Sequence, residues 1–455
     1  MEKEEISTIN EPSTSSEIAS DLSTKRRSKF SKILIAFVLL VLFIVSYGVL
    51  AKNYNWWPRQ VSSPASTGFF DASILDKIKA AGNKTTATIS PKTWHIAALL
   101  YDFSQDMPPI VTCVINDQDI KVCTTATPGP KELKKEIPQK EFVLDAYFNS
   151  EVGVKKFIEE NSYGLQTIAV DVYGPYVVDG PPQCHLDLLT AIRYADKDVD
   201  FRKYDSVGLF YPYPFGAEDT CTGAVGTQGK EKVITKDGTV SLATAWYQNG
   251  GTKKLEYLDF GIAHELGHNF GTLHPLLLLC PSGPWDIDPF RNCDYSGRDQ
   301  MDMMGSKQGH FNAALKDLLG WFKPGQLVMV TKTGTYNLDA YETNTKRIKA
   351  LKIPRGGSDY IFVEFRQPIG FDTELIGNYR SDVLDGVIIH TITAGQDQPW
   401  LLVPNPRNVS EDPFPKIALR TGATFVDPVS KIEIKTESIK NKKAKVSVRF
   451  PPKTK

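Results

Sequence analysis

The stretch AHELGHNFGTLH, residues 263–274, constrains the chain more than any other part of it. Residues i and i+4 of a helix stand one above the other, so a helix here aims the imidazoles of His264 and His268 at one point. Gly271 comes three residues after His268, and glycine takes positive φ at little steric cost, ending a helix sharply. The chain then turns back, and His274 can reach the same point. Three neutral imidazoles leave one tetrahedral position open for water, the pattern that separates catalytic zinc from closed structural zinc. Glu265 stands beside the first ligand, where it can reach a zinc-bound water without ligating the metal. The expectation is one catalytic Zn²⁺ on His264, His268 and His274, with Glu265 as general base.

The bland alternative is an ordinary helix with chance histidines. A bare HExxH does arise by chance in many proteins. The further Gly271 and His274 at set spacing, together holding three of the chain's seven histidines in one segment, weigh against it.

The extended HExxHxxGxxH pattern is similar to that of the metzincins, the zinc peptidases defined by it and by a methionine turn beneath the metal. Downstream, DYSGRDQMDMMGSKQGHFNAALKDLLGWF (294–322) resembles the segment carrying that turn, with Met304 before Gly305 as its methionine and Met303 or Met301 as alternatives. FIEENSYGLQTIAVDVYGPY, HFNAALKDLLGW, GTYNLDAYE and YIFVEFRQPIGFD resemble segments of the gametolysin-type branch and of its relatives, the immune inhibitor A peptidases. The resemblance runs from about residue 93 to the end. It implies a zinc metalloendopeptidase acting on a protein or peptide, with the substrate extended against a sheet edge. The strand GTVSLATAWYQ (238–248), immediately before the motif, is the candidate edge. One departure is Ser306, where some metzincins carry a tyrosine two residues after the turn methionine; Tyr295 and His310 are nearby candidates for that role. No cysteine-switch propeptide is evident.

At 455 residues, two globular units plus tails is the expected organisation. Lys and Arg balance Asp and Glu at 53 each, and no basic run is interleaved with aromatics, so nucleic acid is not an expected partner. Residues 1–32 read as a disordered cytoplasmic tail ending in the basic KRRSKFSK. ILIAFVLLVLFIVSYGVLA (Ile33–Ala51) is uncharged and about one bilayer long as a helix. With basic residues before it, it reads as a single transmembrane anchor in the lipid bilayer, N-terminus cytoplasmic and catalytic domain extracellular. A cleaved signal peptide ending at VLA is the rival reading, against which stand the long leader and the long apolar run. All six cysteines (113, 123, 184, 221, 280 and 293) lie beyond the anchor, which suggests disulfide bonds. Neighbour pairing is the simplest of fifteen connectivities.

Residues 52–92 read as a stalk or linker. Between 93 and 325, strands (HIAALLYDF, LQTIAVDVYGPYVV, DSVGLFYPYP, GTVSLATAWYQ) alternate with helices (142–164 and LDLLTAIRYAD). After residue 326 short alternating runs with turn residues between them follow one another. The expected fold is an α+β metzincin-like zinc peptidase domain, a mixed sheet with the active-site helix, followed by an all-β sandwich-like C-terminal domain (326–455). His95, His185, His310 and His390 are isolated and read as structural. DIDPFRNCDYSGRD is acidic enough for Ca²⁺ but lacks EF-hand spacing, so a solvated loop is the better reading. A cell-surface binding protein that has lost activity, or a zinc hydrolase of cell-wall peptides, are the alternative functions; the intact His264, Glu265, His268 and His274 set weighs against the first, and the absence of a wall-binding repeat leaves the second unsupported.

Overall fold

The computed structural model describes residues 91–105, 110–115, 121–126, 139–183, 185–212, 224–248, 258–278, 298–306, 308–392, 398–403 and 416–452. β1 (Lys92–Phe103) is apolar and buried along most of its length. Successive side chains of a strand point to opposite faces, and β1 feeds two cores in that alternation. Trp94, Ile96, Ala98 and Leu100 enter one, and Ala97, Leu99, Tyr101 and Phe103 enter the other. A strand buried on both faces belongs inside a sheet covered by helices.

β2 (Ile110–Ile115) and β3 (Lys121–Ala126) form an antiparallel hairpin of their own. β4 (Gln166–Val178) and β5 (Ser206–Tyr211) flank β1, both parallel to it. β6 (Ala224–Gly226) and β7 (Glu231–Thr235) lead into β8 (Gly238–Gln248). β8 pairs in parallel with β5 on one side and antiparallel with β6 and β7 on the other, giving the order β4-β1-β5-β8-β6 with β7 beside β8.

Helices cover both faces of this sheet. The region expected as one helix over 142–164 is divided. A helical turn at Lys140–Phe142 runs on as the π-helical Val143–Phe148, and α1 occupies Val154–Asn161. At the break, a Cβ on Gly153 would come within 2.8 Å of the Phe148 carbonyl oxygen, so the backbone closes tightly there. α2 (Leu188–Ala195) is capped by Asp187, which accepts the Thr190 N–H at 2.8 Å. Its Ala191, Ile192 and Ala195 fill one core. α3 (Leu258–Asn269) carries the histidine motif and puts Ile262, Ala263 and Leu266 into the other, beside Phe157 and Ile158 of α1.

The rest of the chain builds two further sheets. β9 (Leu276–Leu278) and α4 (Ala313–Leu318) precede β10 (Leu327–Met329), β11 (Gly334–Asp339), β12 (Ala350–Gly356), β13 (Asp359–Glu364), β14 (Gly386–Ile392), β15 (Trp400–Leu402), β16 (Leu419–Arg420), β17 (Thr424–Val426), β18 (Glu433–Lys440) and β19 (Lys443–Arg449). One sheet runs β10-β12-β13-β14-β15-β9 with β16 beside β14, and the other runs β11-β19-β18-β17. Ile353, Ile361, Val363 and Ile389 of the first share a core with Leu338, Ile434, Val446 and Val448 of the second. On the opposite face of the larger sheet, Ala313 and Ala314 of α4 pack on Ala350 and Phe362. The fold is thus mixed α/β, with several sheets and few helices, a layout compatible with α+β followed by a sandwich. The described residues lie in one compact unit, Thr88–Lys455. β9 precedes residue 326, yet it completes a sheet built from residues beyond it.

Two expectations are corrected. Among the described residues no helix is long and apolar enough to cross a membrane. α3 has 12 residues, where a span needs about 20. The run Ile33–Ala51 lies outside the described residues, so the single-pass membrane localisation and the transmembrane helix have no support in the fold. Nor is any disulfide bond found among the described residues. Cys184, Cys221, Cys280 and Cys293 lie outside them, and of Cys113 and Cys123 only the backbone is described, opposite each other in β2 and β3.

Candidate metal centre

α3 delivers His264 and His268 from one face, and the chain turns at Gly271, whose φ is +98°. The turn is closed by Gly271 N–H to the His268 carbonyl (2.8 Å) and Thr272 N–H to the Gly267 carbonyl (3.1 Å). His274 thereby returns to the other two. Its Nε2 lies 2.9 Å from Nε2 of His264 and 3.0 Å from Nε2 of His268.

The ring orientations follow from their second nitrogens. Nδ1 of His264 donates to the Met303 carbonyl at 2.8 Å, and Nδ1 of His268 to the Thr272 carbonyl at 2.9 Å. A carbonyl only accepts, so both rings carry their proton on Nδ1 and turn an Nε2 lone pair inward. Burial keeps them neutral. It lowers the pKa of His264 to about 4, against the Met303 hydrogen bond and with His268 and Arg298 adding. It lowers that of His274 to about 3, with Arg298 and the other two imidazoles adding. His268 is lowered too, again chiefly by burial. The Nε2 lone pairs of His264 and His268 thus converge on Nε2 of His274. Zinc–nitrogen bonds of about 2.0–2.1 Å at tetrahedral angles would hold the nitrogens roughly 3.3 Å apart, within a few tenths of an ångström of the separations here. The donor set fits a zinc ion.

Glu265 faces the first sheet. Burial raises its pKa to about 7, opposed by a hydrogen bond from the Gly226 N–H and by the charge of Arg298. Gly226 belongs to β6, and a Cβ there would come within 3.0 Å of the Glu265 carboxylate and 2.9 Å of its carbonyl oxygen, so only glycine allows this approach. Asn269 ties the end of α3 to the same sheet by donating to the Thr227 and Thr244 carbonyls (3.1 and 3.0 Å). The expected edge strand is different: β8 is paired on both sides, and β6 is the outer strand, pairing among the described residues only with β8.

The three methionines divide their tasks. Met304 is fully buried with its sulfur against Gly267. Met303 supplies the carbonyl that orients His264. Met301 packs into the sandwich core, and its carbonyl accepts from Arg366 Nη2 at 3.0 Å. Asp302 holds the turn, accepting the N–H of Met304 (2.7 Å) and of Asn312 (2.5 Å). Ser306 is exposed and donates its N–H to the Asp299 carbonyl. His310 is not grouped with the three ligands. It is fully buried, paired with Glu160 at 2.8 Å and 3.2 Å from the Lys316 ammonium. His390 is likewise buried, on Asp299 at 2.8 Å, while His95 and His185 are exposed. Tyr295, and residues 286–297 of the acidic loop considered for Ca²⁺, lie outside the described residues.

Gly226, Thr272, Asp302 and Gln398 support the site and were not singled out in the sequence. Asp302 was readable in principle, since an Asp two residues before a turn N–H is the Asx-turn pattern. Gly226 and Gln398 carry no local signal. No protein-family model matches the chain, and no curated protein matches it.

Proposed function

We propose that this chain is a zinc-dependent endopeptidase that hydrolyses peptide bonds with water, as its resemblance to gametolysin-type metzincins implies. The observation that carries the reading is the convergence of the His264, His268 and His274 Nε2 atoms, with the desolvated Glu265 next to His264 in the chain. His264, His268 and His274 would hold the ion. When bound, zinc supplies Lewis acidity toward a carbonyl oxygen and brings the pKa of a coordinated water toward neutrality.

The protein's own groups do the rest. A carboxylate whose pKa burial has raised accepts a proton from water near neutral pH and passes it to the leaving amine. The Gly226 N–H holds that carboxylate in orientation. The outer edge of β6 offers backbone donors and acceptors to an extended peptide by strand addition, which puts the substrate on the strand that touches Glu265. Peptide, and no nucleic acid, is the proposed partner.

Hydrolysis of a quenched fluorescent peptide by the zinc-loaded protein tests this. Glu265→Gln should lower the rate by about 10²- to 10⁴-fold while zinc stays bound. Full activity in that variant would refute the role of Glu265. Zinc binding without hydrolysis of any peptide offered would favour a binding protein instead.

A further inference from the structure

We propose that the larger C-terminal sheet is a working part of the metal centre. It sets the third ligand, His274, and Gln398 is the positioning residue that fixes it. This rests on the zinc-site reading above.

His264 and His268 are carried by a helix and tied at Nδ1. His274 lies in the irregular stretch 272–275, which a helix does not stiffen. The carbonyl of His274 and the strand that follows it are held by residues more than a hundred positions away. Gln398 Nε2 donates to the His274 carbonyl at 2.6 Å. Leu276 N–H donates to the Pro399 carbonyl at 3.0 Å. β9 then pairs in parallel with β15, Leu276 opposite Trp400, Leu277 opposite Leu401 and Leu278 opposite Leu402. Two residues after the ligand, therefore, the chain is already a strand of the second sheet.

A second attachment closes the clamp. The Pro275 carbonyl accepts the Asp299 N–H at 2.9 Å. The Asp299 carboxylate meets His390 of β14 at 2.8 Å, and His390 stands opposite Leu401 of β15. Asp299 also accepts the Met301 N–H at 2.8 Å, at the head of the methionine turn. The strand after the ligand and the turn beneath the site are thus referred to one framework. Gln398 is the group in that framework that touches the ligand residue itself.

Partners that orient a metal ligand typically govern affinity by about 10- to 100-fold. Zinc affinity of the full chain, measured by competition with a chromophoric chelator, reads this directly. The visible absorption of the Co²⁺ form reports the coordination geometry alongside it. Gln398→Ala should weaken zinc binding by about 10- to 100-fold and dim the tetrahedral cobalt bands. In a His274→Ala background the same substitution should change affinity little, because the ligand through which Gln398 acts is gone. Gln398→Met, which keeps the bulk and removes the donor, is the second variant should the alanine form fail to fold. An affinity within about 2-fold of the parent, or an equal loss with and without His274, would overturn the proposal. A parent chain that binds no zinc overturns the metal-centre reading, and this one with it.

Discussion

The sulfur of Met304 lies against the backbone of Gly267, with no room for a Cβ between them. The glycine inside HELGH is therefore a packing requirement. Gly267 stands on the helix between His264 and His268, and the turn carrying Met304 packs against it.

Gly267→Ala should in consequence cost about 1–3 kcal/mol, the usual range for overpacking a filled core, despite alanine's better helix propensity. Urea unfolding of the metal-free protein checks it. A variant as stable as the parent, or more so, would contradict the packing described.

Gly271 and Gly320 both have positive φ, +98° and +69°, and a Cβ on either would meet no atom within 4 Å. Alanine at each should cost about 1–2 kcal/mol of backbone strain. Only Gly271→Ala should also weaken zinc binding, because that turn returns His274 to the site. Comparing the two variants by unfolding and by chelator competition separates strain from ligand placement. Equal zinc affinity in both would argue against the turn's role.

One part of the acid sensitivity should lie in the Arg355–Asp427 pair. Arg355 and Asp427 are both buried and form a two-pronged pair, with Nη2 2.9 Å from one carboxylate oxygen. Burial works to raise the Asp427 pKa, but hydrogen bonds from Arg355 and Ser430 outweigh it and leave it lowered. The unfolded carboxyl titrates near 3.9. The pair's contribution is therefore complete above that pH and is lost as pH falls through the lower folded value. Asp427→Asn should flatten the fall of the unfolding midpoint below about pH 4. Arg355→Met, which strands a buried carboxylate, should cost about 3–5 kcal/mol at neutral pH. Parallel pH profiles for parent and Asp427→Asn would count against this.

The grouping of His264, His268 and His274 was legible because its geometry is local. Helical spacing joins His264 to His268, and one glycine turn brings in His274. Met304 was singled out by the family resemblance, not by local geometry; in the fold its sulfur lies against Gly267. β1 and β5 were legible as apolar runs, and β4 as an alternating, β-branched one. What the sequence hid is long-range pairing. The run GTVSLATAWYQ reads as a strand, but nothing in it says that three residues, Ala224–Gly226, form the outer edge. Leu276–Leu278 reads as a short apolar run after the motif, and its partner Trp400–Leu402 is more than 120 positions away. Arg366, reaching both Met301 and Asp372, reads as one more charged residue in an alternating strand. The helix expected over 142–164 is interrupted over 149–153, where the backbone folds back so that Gly153 lies against the Tyr147 and Phe148 carbonyls.

The most direct test is the metal itself. The full chain, purified and dialysed against trace zinc, should retain one Zn²⁺, and X-ray absorption should show three imidazole nitrogens and one light solvent atom around it. His264→Ala, His268→Ala and His274→Ala should each abolish that signature. A folded parent that retains no zinc, or a zinc ion whose coordination survives removal of any of the three, would contradict the site.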